Sequence, residues 1–275
     1  MMVRKRKHSL TLVVGCVLIG GIAIIAILSF FWLPYSLGDM TGGRLAPPSG
    51  AHILGTDKLG RDLLTRLMIG SRIALTVGFL SVSIGTLLGV CLGLIAGFAQ
   101  RWLDESLSAV LDILIAFPTL LLAMLIVAAR GSSLSSAIVA IGLAMSAIIA
   151  RLTRLLVKRV LAQDFITASR ASGTSWIRII IIHVLPNIWP TLAVILALQF
   201  GLAGLAEASL SYLGLGSPPP NASWGSLMQE AQGTVLISPL AAIAPGVLLV
   251  TLVIGMNLIA DGLREARDPT LRGTM

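Results

Sequence analysis

QDFITASRASGTSWIRIIIIHVLPN, residues 163–187, is a polar and basic stretch set between long apolar runs. A bilayer core holds no water to satisfy loose backbone groups, so the apolar flanks cross it as helices and this stretch lies outside it. It reads as two short helices hinged at Gly173. Asp164 is the expected N-cap of the first, with Phe165, Ala168 and Ala171 or Ser172 along one side. Gly173 ends that helix as its C′ residue. Thr174 or Ser175 then caps a second helix whose expected apolar side is Trp176, Ile177, Ile180, Ile181 and Val184, and Pro186 is expected to close it. Arg170 and Arg178 give the unit a positive surface.

Working outward, the apolar runs fall at about 9–33, 73–98, 109–129, 135–150, 188–210 and 236–260, each near the roughly 20 residues a spanning helix needs. The first follows MMVRKRKH and is 25 uncharged residues long, beyond the ~7–15 of a signal peptide's apolar region. It ends in Phe30, Phe31 and Trp32, an aromatic interface belt, and reads as a retained first span. The implied organisation is a cytoplasmic N-terminus at 1–8, a first transmembrane helix at 9–33 and an extracytoplasmic loop at 34–72. A five-helix core at 73–260 contains a cytoplasmic loop at 156–187, and a cytoplasmic tail occupies 261–275.

Composition agrees with an all-α integral membrane protein of six transmembrane helices. Of 275 residues, 56% are hydrophobic and 12% charged, with a mean hydropathy of +0.95, outside the range of soluble domains. The net charge of +8 does not point to nucleic acid, because the basic residues lie in the gaps between spans, as topology determinants do. With six spans both termini share one side. That side holds Arg4, Lys5, Arg6, Lys7, Arg101, Arg151, Arg154, Lys158, Arg159, Arg170, Arg178, Arg264, Arg267 and Arg272. The other holds only Arg44, Lys58, Arg61, Arg66, Arg72 and Arg130. The excess makes both termini and the 163–187 stretch cytoplasmic. Cys16 and Cys91 lie inside apolar runs and read as small core hydrophobes.

Gly85, Gly89, Gly93 and Gly97 recur every fourth residue of the second span. Such a stripe lets another helix approach to backbone contact, whether from this chain or from a second subunit. Few ionisable groups fall in the spans: Asp112, ahead of a kink at Phe117-Pro118, and Glu207. A coupled carrier built from broken repeats would show more. There is no phosphate-binding GxxxxGK[ST] loop, and His8, His52 and His183 are too scattered for a metal or acid–base site. Any energy for active transport therefore comes from another polypeptide. Outside the membrane, Asp57, Arg61 and Asp62 form an expected ion-pair cluster that folds the first outer loop, with Gly55 and Gly60 at its turns. Residues 214–232, with Pro218, Pro219, Pro220 and Trp224, read as a loop or re-entrant piece at an outer mouth. Glu207, Ser211 and Trp224 are its candidate path residues.

The cytoplasmic stretch resembles the EAA signature of ABC-importer permeases. Thr167, Ala168 and Ser169 stand for Glu-Ala-Ala, followed by Gly173 and by the ending Ile182, His183, Val184, Leu185, Pro186; Thr167 replaces the acidic residue and Ser169 the second alanine. HILGTDKLGRDLLTRLMIGSR (52–72), AFPTLLLA (116–123), EASLSYLGLGSPPPNASWG (207–225) and NLIADGLREARDP (257–269) are similar to the C-type permease of the dipeptide, oligopeptide and nickel importers. Ala260 stands where that family usually has Gly.

The resemblance implies a type I ABC importer permease fold in a bacterial inner membrane. It implies a second, B-type permease, an extracytoplasmic substrate-binding protein, and one or two cytoplasmic ATPase subunits that use ATP and Mg while this chain binds no cofactor. It makes Asp164, Phe165, Thr167, Ala168, Ser169, Arg170, Gly173, Arg178 and Pro186 the ATPase-coupling residues. The absence of His and Cys clusters in the spans favours di- or oligopeptides over nickel or a metallophore. A secondary transporter or channel, working alone and without ATP, is the alternative from another class.

Overall fold

Residues 10–266 are described by the computed structural model, and no strand occurs among them. The basic N-terminal segment and the tail from Arg267 onward lie outside the described residues, as does their expected cytoplasmic placement. The helices are α1 (Leu10–Phe31), α2 (Leu63–Phe98), α3 (Arg101–Ala116), α4 (Thr119–Arg130), α5 (Leu134–Leu161), α6 (Asp164–Ala171), α7 (Trp176–Ile179), α8 (Leu185–Tyr212), α9 (Trp224–Ala231) and α10 (Leu240–Glu265). A π-turn, Ile180–Val184, joins α7 to α8 without a break, so the run Trp176–Tyr212 is one apolar segment of 37 residues. Five segments are long and apolar enough to span a bilayer, and α3 with α4 makes a sixth that is bent by 88°.

That bend corrects the expected single span at 109–129. The break falls at the expected Phe117-Pro118 kink: Pro118 has no N–H and biases Phe117 to extended backbone (ψ 130°), so the chain turns sharply there. Two boundaries also move. α2 starts at Leu63, inside the expected 34–72 loop, because Asp62 caps it by accepting the Thr65 N–H at 2.8 Å. Arg66 and Arg72 are therefore helical. At 36 residues and ~1.5 Å per residue, α2 reaches about 54 Å, beyond the ~30 Å hydrocarbon thickness. α5 likewise continues to Leu161, well past the expected end at 150.

The glycine stripe of α2 lies along α5 of the same chain. A Cβ on Gly85 would come 3.1 Å from the Gly142 oxygen, on Gly89 2.7 Å from Ile149, on Gly93 2.6 Å from the Ala150 oxygen and on Gly97 2.6 Å from Val157. Gly142 answers from α5 against Ile84, and the Ser81 hydroxyl donates to the Ile138 carbonyl at 3.0 Å. In lipid, where burial of apolar surface between helices gains little, such close packing and interhelical hydrogen bonding are what hold two spans together. A second small-residue seam, Gly15 of α1 against Gly255 and Ile259 of α10, is built the same way. α1 is further held by Arg72, which donates to the Ser29 hydroxyl at 3.1 Å and the Ser29 carbonyl and lies 3.7 Å over the Phe30 ring.

At the other end of α2 and α5, α3 is tethered by charge. Asp104 accepts from Arg154 at 2.5 and 2.9 Å and from Lys158, and Arg151 pairs with Asp112 at 3.2 Å. Cys16 and Cys91 are exposed on outward faces of their helices, not in the core as expected; a face turned to lipid is as apolar as an interior, so composition cannot separate the two.

Candidate functional site

The 163–187 stretch folds as α6, a turn, α7 and the π-turn, seated on the ends of α2 and α5. Gln163, not Asp164, is the N-cap residue, and Asp164 opens the helix. Its acidic charge remains favourable there, at the positive end of the helix dipole. α6 ends at Gly173 in a complete Schellman motif: the Gly173 N–H donates to the Arg170 carbonyl at 3.0 Å and the Thr174 N–H to the Ser169 carbonyl at 3.1 Å. Gly173 has φ of +82°, in the left-handed region that favours glycine. Ser175 then caps α7, accepting from the Arg178 N–H.

Ile166, Ile179 and Val184 are buried in one cluster with Val157, Val160 and Leu161 of α5 and Val90, Leu94 and Phe98 of α2. This corrects the expected apolar side of the second helix. Ile179 is fully buried while Ile177 is 71% exposed, because α7 makes only one turn before the wider π-turn shifts the helical phase. Pro186 does not close the segment; it stands immediately after the π-turn, inside the continuous run from α7 into α8. Trp176 meets Phe98 edge-on at 5.4 Å, and the Arg170 guanidinium lies 3.8 Å over the Trp176 ring. Ser169 approaches the His183 ring at 3.4 Å. The outward surface then holds Asp164, Phe165, Thr167, Ala168, Arg170, Gly173, Arg178 and Pro186. The unit therefore presents a polar, basic and partly apolar face on a root fixed to two spans.

At the opposite end of α2, Asp57 accepts from Arg61 Nε at 2.6 Å, from Arg66 Nη1 at 2.7 Å and from the backbone N–H groups of Leu59 and Arg61 at 2.7 and 3.0 Å. Glu230 of α9 accepts from both nitrogens of the Arg66 fork and from Arg61, each at 2.8 Å. Asp62 does not join this cluster as expected. It caps α2 and contacts His52 Nδ1 at 3.0 Å, whose ring stacks on Tyr35. Sequence reading missed Arg66 and Glu230; the signal was there, since Glu230 is the one charge between Glu207 and Asp261.

Burial opposes the charge on Asp57, but the backbone N–H groups of Arg61 and Leu59 and the Arg61 and Arg66 guanidiniums outweigh it and hold its carboxyl below the ordinary range. Glu230 is likewise opposed by burial and lowered by Arg66 and Arg61. Carboxyls lowered by folding stabilise fully above their unfolded values and lose that contribution as pH falls through their folded ones. The thermal midpoint of the purified protein is expected to hold as pH falls from 7 to about 4, the ordinary carboxylate range, and to drop below it. Glu230→Gln is expected to flatten the acid limb; an unchanged limb would sever it from this cluster.

The three candidate path residues are interior. Glu207, Ser211 and Trp224 are 1%, 4% and 1% exposed, which corrects the expected open mouth. Ser211 donates to Glu207 at 2.6 Å, and the Trp224 indole N–H donates to the Leu67 carbonyl of α2 at 3.3 Å. The segment folds down because glycines let it: a Cβ on Gly225 would stand 1.9 Å from the Ala208 oxygen, and one on Gly216 1.8 Å from Ser211 Oγ. Proline and aromatic content suggested an exposed loop, but the indole fills a gap between α2 and α8.

The sequence from residue 89 to 273 matches the family model described as "Binding-protein-dependent transport system inner membrane component". The chain is 38% identical over 270 residues to the dipeptide transport system permease protein DppC of Alkalihalophilus pseudofirmus, covering 98% of this chain and 89% of the relative. It is 38% identical to the glutathione transport system permease protein GsiD of Pectobacterium atrosepticum, over 82% of this chain and 75% of that one. It is 39% identical to the di/tripeptide transport system permease protein DppC of Pseudomonas aeruginosa, over 83% and 77%. Among solved structures it resembles an inward-facing form of the MetNI methionine ABC transporter, with a TM-score of 0.63 at 21% identity, covering 74% of this chain and 97% of that one. That likeness gives the fold, a type I importer permease bundle. Sequence and fold agree that the chain is a multi-pass permease subunit and not an enzyme, and that it belongs to the binding-protein-dependent transport system inner membrane component family.

Proposed function

We propose that the chain is the C-type permease of an ATP-driven importer of di- or oligopeptides in a bacterial inner membrane, with both termini in the cytoplasm. The 163–187 unit is its docking surface for a cytoplasmic ATPase. A B-type permease completes the path, an extracytoplasmic binding protein delivers the substrate, and one or two ATPase subunits use ATP and Mg, which this chain does not bind. The observation that carries the reading is the division of α6 and α7 into two faces. Ile166 and Ile179 are rooted on α2 and α5, while Phe165, Thr167, Arg170 and Arg178 face outward.

A docked partner that moves α6 moves the ends of two spans with it. Alternating access needs this kind of rigid transmission, because packed interfaces switch between discrete arrangements and do not deform continuously. Phe165 supplies an apolar knob and the arginines set orientation. Arg170 is held for that task by its stacking on Trp176. Peptide cargo is supported by the relatives named for dipeptides, glutathione and di/tripeptides.

The test is purification of the tagged chain followed by reconstitution. An ATPase and a second permease are expected to copurify, and uptake of a labelled dipeptide into proteoliposomes is expected to need ATP and the binding protein. Uptake by this chain alone without ATP would replace the importer with a secondary carrier.

A further inference from the structure

α9 is an eight-residue helix whose two ends are each pinned by a carboxylate. At its start, Ser223 caps the helix through the Ser226 N–H at 3.2 Å, and its side chain lies near the Glu207 carboxylate of α8, which accepts from Ser211 at 2.6 Å. At its end, Glu230 is gripped by the Arg66 fork of α2 and by Arg61 of the outer loop. Between these points the helix has no slack. Gly225 rests on the backbone of Ala208, and Trp224 is wedged against α2, where a Cβ on Gly70 would meet its ring at 2.5 Å. Burying carboxylates is an expensive way to gain stability but a good way to fix register.

The helix that carries Glu207 also reaches the opposite face. The run Trp176–Tyr212 begins beside the Gly173 turn and ends one turn past Glu207, a length of about 55 Å at ~1.5 Å per residue. The outer loop, α9 and this run therefore form a series of links from one face of the membrane to the other. We propose that α9 is an outer strut, with Glu207 and Glu230 as its positioning residues, through which docking of the binding protein on the outer loop is passed into α8 and on to the ATPase-facing unit. This rests on the permease reading above.

The experiment uses the whole complex in nanodiscs, with ATP hydrolysis measured with and without dipeptide-loaded binding protein. In Glu207→Ala and in Glu230→Ala, hydrolysis without binding protein is expected to be unchanged. Stimulation by the binding protein is expected to fall at least about fivefold, the scale of a lost coupling between sites. Glu207→Gln is expected to keep most of the stimulation, because its amide oxygen still accepts from Ser211 and keeps a polar group beside Ser223. The double alanine variant is expected to be no worse than either single one, since links in series break once. Stimulation kept by an alanine variant, or losses that multiply in the double, overturns the strut. If an alanine variant does not assemble, Ser223→Ala, which leaves the Ser211 bond to Glu207 intact, is read by the same criterion. Wild-type complex that the dipeptide-loaded binding protein fails to stimulate would instead overturn the dipeptide-importer reading.

Discussion

Replacing Gly173 by Asp is expected to lower peptide uptake about tenfold or more, within the ~5–150-fold range of coupling between linked sites, while the ATPase continues to turn over. A Cβ at this position would meet nothing within 4 Å, so the effect is not a clash. It comes from the backbone: φ is +82°, and a side chain in left-handed backbone costs ~1–2 kcal/mol. The chain escapes that cost by leaving the Schellman geometry, which breaks the Gly173 and Thr174 hydrogen bonds and re-aims α6 relative to α7. Ile166 and Ile179 still anchor the unit, so the protein remains folded and inserted. The carboxylate also adds negative charge beside Arg170 and Arg178 on the docking face. Gly173→Asn, whose side chain tolerates left-handed backbone and adds no charge, is expected to retain part of the uptake. Paired uptake and hydrolysis measurements in proteoliposomes check this; normal uptake by the Asp variant would remove the coupling role from this turn.

The same segment shows where sequence was enough. The Gly173 turn was legible because its requirement is local: a helix end, a residue free to take positive φ, and a capping serine two positions on. Hydropathy found the spans because the bilayer imposes length on each alone. What it could not report was direction. A window over 109–129 averages apolar residues across Pro118 and misses that the helix axis turns by 88° there. In the same way, the run of isoleucines at 177, 179, 180, 181 and 182 has no internal mark of phase, and the π-turn decides that Ile179 faces in. Arg66 and Glu230 are 164 residues apart, and only the fold brings a fork to that carboxylate. Asp62 was seen as a charge, yet its work is to cap α2 and hold His52.

Gly93→Leu is expected to have the largest effect on assembly of the bundle. The position faces α5 so closely that a Cβ would lie 2.5 Å from Thr153 Cβ and 2.6 Å from the Ala150 carbonyl oxygen. One of those neighbours is backbone, which cannot swing away, so the two helices must separate. Overpacking of this kind costs ~1–3 kcal/mol, sometimes more. Here the loss spreads, because Gly85, Gly89 and Gly97 depend on the same helix separation, and in lipid no compensating hydrophobic gain rewards a looser contact. It also reaches the docking unit, since Val157 and Phe98, which carry Ile166 and Trp176, lie at the ends of this helix pair. Thermal unfolding of the detergent-purified protein is expected to show a sharply lowered midpoint, with much of the material aggregated. Gly20→Leu is the control: it adds the same side chain to another spanning helix where a Cβ would meet nothing within 4 Å, and its midpoint is expected to match that of the unaltered chain. Equal midpoints for the two variants would mean that the stripe is not what sets the α2–α5 separation. A loss confined to Gly93→Leu ties the stability of the docking unit to four glycines spaced along α2.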